Sequence, residues 1–170
     1  DKVIKAIFVD RDGVINDNKK PVNNPSDLTI YDAAKEGLKK FYELGYDIYV
    51  VTNQGGIEMG HMTHEQLEGI HNKMIKDLKP YCEIKEIQYC PYFKKKSKYR
   101  KPEPGMILEL AGKYDIDLKN SWMIGDMDTD IEAGKRAGCK TAKIGKVNKD
   151  AEVNGKDLKE VAGKIIKYKS

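Results

Sequence analysis

Cysteine is scarce in this chain: Cys82, Cys90 and Cys139 form an odd, scattered set with no C-x-x-C pair. That excludes a disulfide framework and argues for free thiols in a reducing, cytoplasmic setting. Long apolar runs are also missing. No stretch approaches the roughly 18 apolar residues a membrane span needs. The start, Asp1-Lys2-Val3-Ile4-Lys5, does not have the pattern of a signal peptide. No internal repeat, low-complexity tract, linker, heptad or long apolar edge is present, so one domain over 1–170 and a monomer are expected. Only three histidines occur, and there is no Arg-His-Gly; His61, His64 and His71 read as solvated surface residues. Charge of one sign is not in great excess: 39% apolar and 34% charged residues with a net +4 suit a globular protein with a very polar surface.

What is present begins with Ile7-Phe8-Val9-Asp10-Arg11-Asp12-Gly13-Val14-Ile15-Asn16. The apolar run over 3–9, broken only by Lys5, reads as a strand buried on both faces of a parallel sheet. Such a strand delivers Asp10 and Asp12 to the carboxyl edge, where open α/β folds bind ligands. Two carboxylates in one crevice repel unless a cation sits between them. Taken alone, D-x-D-G reads equally well as a solvated Asp-Gly turn. Lys94, Lys95, Lys96, Lys98, Arg100 and Lys101 put six cations into eight positions. That is either a solvated basic loop or an electrostatic funnel for an anionic substrate.

The periodicity beyond this point alternates. Residues 17–31 are polar, hold Pro21 and Pro25, and read as a loop. Asp32 is the expected N-cap of a helix facing Ala33, Ala34, Leu38, Phe41 and Leu44 inward, stopped by Gly45. A second strand over 46–51 ends at Thr52-Asn53. Thr63 and Gln66 make a capping box for a helix with Leu67, Ile70, Met74, Ile75 and Leu78 on its apolar face. A third strand over 84–89 leads into a loop, and Pro104 opens a helix over 106–114. Trp122-Met123-Ile124-Gly125 is a fourth strand, 129–137 a helix stopped by Gly138, and 141–144 a fifth strand. Asp157 and Glu160 cap a last helix with Leu158, Val161 and Ile165 inside. The order predicts an α/β, doubly wound, Rossmann-like parallel sheet of five strands. The loop before the second strand is too short for a large cap domain, so the site is expected to be open.

Three further segments carry polar residues at strand or helix ends: Thr52-Asn53, Arg100-Lys101-Pro102 and Gly125-Asp126-Met127-Asp128-Thr129-Asp130. With Asp10-x-Asp12-Gly13 they make four motifs, in this order, that resemble the haloacid dehalogenase-like (HAD) phosphatases over nearly the whole length. Hydrolysis of a phosphate ester needs a nucleophile, neutralisation of anionic oxygens and a proton for the leaving group. Asp10 is placed to attack phosphorus and form an aspartyl-phosphate, and Asp12 to protonate the leaving alkoxide and later deprotonate water. Thr52 hydroxyl, Asn53 N–H and Lys101 ammonium would hold the phosphoryl oxygens. The resemblance implies Mg²⁺ on Asp10, the Asp12 carbonyl and Asp126, with Asp130 orienting the site from behind. Asp128 reads as a helix N-cap or first-turn acid.

Asp-Arg-Asp-Gly-Val-Ile-Asn, Thr-Asn-Gln-x-Gly-Ile and Tyr-Cys-Pro leading to Arg-Lys-Pro-x-Pro-Gly-Met narrow the resemblance to the D-glycero-D-manno-heptose 1,7-bisphosphate phosphatases, with the histidinol-phosphate phosphatases close by. It implies substrate contacts from Asn53, Gln54, Gly55 and Arg100, the last as a fork on a second phosphate. The family pattern includes a zinc loop, Cys-x-His followed by Cys-x-Cys. Here Cys90-Pro91-Tyr92 and Ser97-Lys98-Tyr99 leave one thiol of four ligands, so no zinc is expected. Met127 departs too, where some relatives carry Lys. The expected activity is Mg²⁺-dependent hydrolysis of a small phosphorylated sugar. A histidinol-phosphate phosphatase and a polynucleotide 3′-phosphatase are the alternatives, the second with Tyr92 and Tyr99 as base-stacking candidates. A scaffold that has lost turnover does not fit intact Asp10, Asp12, Lys101 and Asp126.

Overall fold

The computed structural model describes residues 3–169. The expectation about the chain start therefore falls partly on Asp1 and Lys2, outside the described residues, as does the extreme end of the 1–170 domain. The elements in chain order are β1 (Ala6–Val9), α1 (Asp32–Glu43), β2 (Asp47–Asn53), α2 (His64–Leu78), β3 (Ile84–Cys90), α3 (Gly105–Tyr114), β4 (Trp122–Gly125), α4 (Asp128–Ala137), β5 (Lys140–Ile144), β6 (Val153–Gly155) and α5 (Leu158–Lys167). No helix among the described residues is long and apolar enough to cross a membrane.

The strands form one sheet in the order β3-β2-β1-β4-β5-β6, every pair parallel. The doubly wound expectation holds, but the sheet has six strands and not five. The extra strand, β6, pairs with β5 through Ala142↔Val153 and Ile144↔Gly155. With one buried apolar residue in three, it has no periodicity to read; its existence depends on the neighbouring edge.

All four residues of β1 are fully buried because both faces of the sheet are covered. Ile7 and Val9 face a core shared with α1, α2 and α5, while Ala6 and Phe8 face a second core shared with α3 and α4. The same alternation sends Ile48 and Val50 of β2 to the first core and Tyr49 and Val51 to the second. Each fully buried large side chain, Leu38 and Phe41 of α1 among them, contributes about 1.5–3 kcal/mol relative to exposure.

The capping box of Thr63 and Gln66 is formed, and the Asp157 carboxylate accepts the Glu160 N–H. At α1 the cap is displaced by one residue. Tyr31, in extended backbone, is the N-cap, and Asp32 is already helical, where its carboxylate sits at the positive end of the helix dipole and pairs with Lys35 at 3.5 Å. Leu44 and Ile75 also differ from expectation, being 47% and 40% exposed. Leu44 is the C-cap, off the helical face, and Ile75 lies a further 100° round the helix from the buried Met74. Trp122 and the three free cysteines, Cys82, Cys90 and Cys139, are buried.

Candidate active site

The chain leaves β1, runs outward through β2 and β3, then returns to the other side of β1 as β4. The strand order therefore reverses at β1, and the crevice at that carboxyl edge is the switch point where such sheets bind ligands. Asp10 follows β1, and its N–H donates to the carbonyl of Ile124 in β4 at 3.0 Å. Asp126 follows β4, Thr52 lies near the end of β2, and Lys101 arrives from the long loop after β3.

Carboxylate oxygens of Asp10, Asp126 and Asp130 lie within 4.8 Å of one another. Lys101 Nζ lies against this group, 3.0 Å from Asp10 Oδ1 and 2.6 Å from Asp130 Oδ1, and donates also to the Val51 carbonyl at 2.9 Å. Fully ionised, three carboxylates against one ammonium exceed it by two negative charges, the number a divalent cation balances. Burial, then Asp130 and Asp126, push the Asp10 carboxyl well up, with Lys101 opposing. Burial and Asp130 raise Asp126 likewise. Asp10 and Asp130 outweigh burial at Lys101 and hold its ammonium charged. Asp126 Oδ1 is buried with no hydrogen-bond partner among the described residues. An orphaned anionic oxygen beside a second carboxylate fits a hard cation bound by oxygen ligands.

Asp12 turns elsewhere. Its Oδ1 accepts from Arg11 Nη2 at 2.8 Å and Asn16 Nδ2 at 3.0 Å, and its Oδ2 accepts from Gln54 Nε2 at 3.0 Å. Burial would raise its pKa, but the Arg11 charge and these donors together hold it below the usual carboxylate value. Gly13, at φ +81°, makes the turn that follows Asp12, and a Cβ there would run into the Asp126 carboxylate.

Of the substrate-contact candidates, Gln54 is buried and spends its amide on Asp12 and on Thr52 Oγ1 at 3.0 Å. Asn53 grips the Lys101 backbone on both sides, accepting its N–H and donating to its carbonyl. Gly55 packs on Phe93, and Arg100 donates Nη1 to the Tyr92 carbonyl at 2.9 Å. Asp130 is buried on Lys101 and accepts the Met127 N–H, while Asp128 opens α4 and accepts from Asn148.

The structure brings to the site two residues to which the sequence reading gave no role there. Arg11 is 1% exposed and reaches His71 Nε2 at 3.2 Å as well as Asp12. His71 is therefore not a solvated surface residue. It packs under Tyr89, and burial, then the Arg11 charge, push its pKa down to about 4. The signal was there: His71 is four residues from Leu67 and three from Met74, on the buried stripe of α2. His64 lies outside, hydrogen-bonded to the Tyr89 hydroxyl. Tyr92 and Tyr99, the base-stacking candidates, are half-buried against the second core, with Lys95 and Lys98 over their rings.

A doubly wound sheet with this acid cluster at its switch point is the framework of the HAD-like hydrolases. Residues 98–161 match the HAD-hydrolase-like family model. The chain is 39% identical over 144 residues to a D-glycero-alpha-D-manno-heptose-1,7-bisphosphate 7-phosphatase of Photorhabdus laumondii, covering 79% of each chain. It is 34% identical over 160 residues to a D-glycero-beta-D-manno-heptose-1,7-bisphosphate 7-phosphatase of Pasteurella multocida, covering 89% of this chain and 87% of that one. A D,D-heptose 1.7-bisphosphate phosphatase structure from B. bronchiseptica, complexed with magnesium and phosphate, superposes with a TM-score of 0.87 at 28% identity, covering 96% and 99% of the two chains. The chain belongs to the heptose-1,7-bisphosphate 7-phosphatase family of HAD-like phosphatases.

Proposed function

We propose that the protein hydrolyses the 7-phosphate of D-glycero-D-manno-heptose 1,7-bisphosphate in a Mg²⁺-dependent reaction. The observation that carries this reading is the meeting of Asp10, Asp126 and Asp130 beside Lys101, with an Asp126 oxygen left unpartnered, in a chain of this family. Asp10 and Asp126, with the Asp12 carbonyl, would hold Mg²⁺, which when bound supplies positive charge to the phosphoryl oxygens.

Asp10 attacks phosphorus as the bond to the sugar oxygen breaks, leaving an aspartyl-phosphate and an alkoxide. Asp12 gives that alkoxide a proton. The resting site holds Asp12 ionised; the arriving phosphate dianion raises its affinity for the proton it must carry. In the second step Asp12 takes a proton from water as the water oxygen attacks phosphorus, which releases inorganic phosphate and restores Asp10. Lys101 and Thr52 neutralise and orient the phosphoryl oxygens throughout. Arg11, Asn16 and Gln54 fix Asp12 against rotation.

The test is a Mg²⁺ assay of both anomers of heptose 1,7-bisphosphate, histidinol phosphate and a 3′-phosphorylated oligonucleotide. A preference of about a hundredfold in kcat/KM for a heptose anomer is expected. Equal or better turnover of histidinol phosphate or the oligonucleotide overturns the assignment, and Asp10→Asn should abolish turnover of every substrate.

A further inference from the structure

Glu58 is an exposed residue in the loop after β2, yet it is tied to the loop after β3 from both ends. Its own N–H donates to the Pro91 carbonyl at 3.1 Å. Its carboxylate accepts three successive backbone N–H groups, Oε2 those of Phe93 at 2.6 Å and Lys94 at 2.5 Å, and Oε1 that of Lys95 at 3.1 Å. Consecutive amides converging on one anion form a nest, a concave donor set that fixes the backbone around the charge it holds. These bonds also draw the carboxyl below its usual pKa.

The segment so gripped carries Lys94, Lys95, Lys96 and Lys98, whose mutual repulsion would otherwise spread it into solvent. A carboxylate at its centre is the charge that opposes this. The grip is passed on through Phe93. Its side chain lies against Gly55, where a Cβ would meet Phe93 Cβ at 2.8 Å, so only glycine allows the two loops to close. The Arg100 guanidinium then lies over the Phe93 ring, 5.0 Å from its centroid, and is tied to the Tyr92 carbonyl. Between residues 93–98 and 100–103 the clamped loop bounds a cavity of about 550 Å³ that runs to Lys101.

We propose that Glu58 is a positioning residue: it holds the Lys-rich loop closed, so that Arg100 and the loop lysines meet the part of the substrate that is not hydrolysed, an anionic group distant from the scissile phosphate. The inference rests on the bisphosphate reading for its kinetic half and on the hydrogen bonds alone for its structural half. Glu58 touches neither substrate nor reacting atoms; it acts through Phe93 and Arg100.

The experiment compares wild type with Glu58→Ala and Glu58→Gln by amide hydrogen exchange and by kinetics on two substrates, heptose 1,7-bisphosphate and p-nitrophenyl phosphate, which has no second anionic group. In Glu58→Ala the Phe93, Lys94 and Lys95 amides should exchange about tenfold faster or more, while those of β1 and β4 keep their wild-type rates. KM for the bisphosphate should rise about tenfold with kcat nearly constant, and KM for p-nitrophenyl phosphate should move less than about twofold. Glu58→Gln, which keeps one acceptor oxygen, should fall between. Unchanged exchange in Glu58→Ala overturns the clamp. Faster exchange with an unchanged KM for the bisphosphate, or an equal rise for both substrates, overturns the role in recognition. A wild type that cleaves p-nitrophenyl phosphate but not the bisphosphate overturns the substrate reading and the kinetic half with it; the exchange rates still decide the clamp.

Discussion

Asn53 and Lys101, 48 residues apart, are joined by a reciprocal pair of hydrogen bonds: the Asn53 side chain accepts the Lys101 N–H at 3.0 Å and donates to its carbonyl at 3.2 Å. An amide side chain thus pairs with one residue's backbone as a neighbouring strand would. This clasp sets where the Lys101 stem begins, and so where its ammonium meets Asp10 and Asp130. Asn53→Ala removes both bonds and lets the loop drift. A displacement on the order of 1 Å at a catalytic group can cost about a hundredfold in rate, so kcat should fall by one to two orders of magnitude. Since Lys101 is also pinned by the Val51 carbonyl, the fold should survive, with a loss of about 1–3 kcal/mol in urea titration. Wild-type kcat in this variant would remove Asn53 from the account.

The unpartnered oxygen of Asp126 has a thermodynamic consequence. A ligand that binds only the folded state at about 100 times its Kd adds about 2.7 kcal/mol of stability. For a domain of this size, that raises the melting temperature by about 5–10 °C. Mg²⁺ added to chelator-treated wild type should produce such a rise, and Asp126→Asn, which keeps the shape but removes the charge, should lose most of it. Equal rises in both proteins would place the cation elsewhere.

His71 makes stability depend on pH in a defined direction. Burial and the adjacent Arg11 charge lower its pKa from 6.5 to about 4. Above pH 6.5 it is neutral in both folded and unfolded chains, and its contribution is complete. As pH falls from 6.5 toward 4, the unfolded chain takes up a proton that the folded chain refuses, so stability is lost at up to about 1.4 kcal/mol per pH unit. Below about 4 this loss levels off. His71→Asn, which can still accept from Arg11, should unfold with a shallower pH slope between 6.5 and 4 in urea titrations. Parallel slopes for the two proteins would show that His71 is not the group responsible.

Much of this was legible in the sequence because the relevant signals are local. The burial of β1 and β4 follows from short apolar runs, and the box of Thr63 with Gln66 from two residues three apart. The four motifs could be placed at one sheet edge because parallel strands all point their carboxyl ends the same way. What escaped was non-local or lay on the opposite face. Arg11 lies beyond the end of β1, in the turn that follows Asp10, and its guanidinium leaves the carboxylate cluster to pair with Asp12 and to reach His71 of α2. The bond from Asn53 to Lys101 and the grip of Glu58 on 93–95 span two loops that no periodicity links. The sixth strand has only Val153 buried and takes its order from β5.

The chemistry of the loop after β3 leads to a last expectation, about metal content. A structural zinc site needs four sulfur or nitrogen ligands at about 2.0–2.3 Å in tetrahedral array. Cys90 is fully buried and packs in the second core with Tyr49, Val51 and Met106. Residues 91–99 contain no other cysteine and no histidine. Of the acids that reach this loop, Glu58 already accepts three backbone N–H groups and Glu109 accepts the Tyr99 hydroxyl. Binding zinc there would mean extracting Cys90 from the core and breaking the Glu58 nest. Purified protein should therefore carry well under about 0.1 zinc per chain by elemental analysis. A zinc-selective chelator should leave the Mg²⁺-supported rate and the exchange of the loop amides unchanged. Cys90→Ala should keep that rate as well, at a stability cost of about 1 kcal/mol for the small void it leaves. Stoichiometric zinc whose removal frees the 93–95 amides would show instead that a metal, and not Glu58, orders this loop.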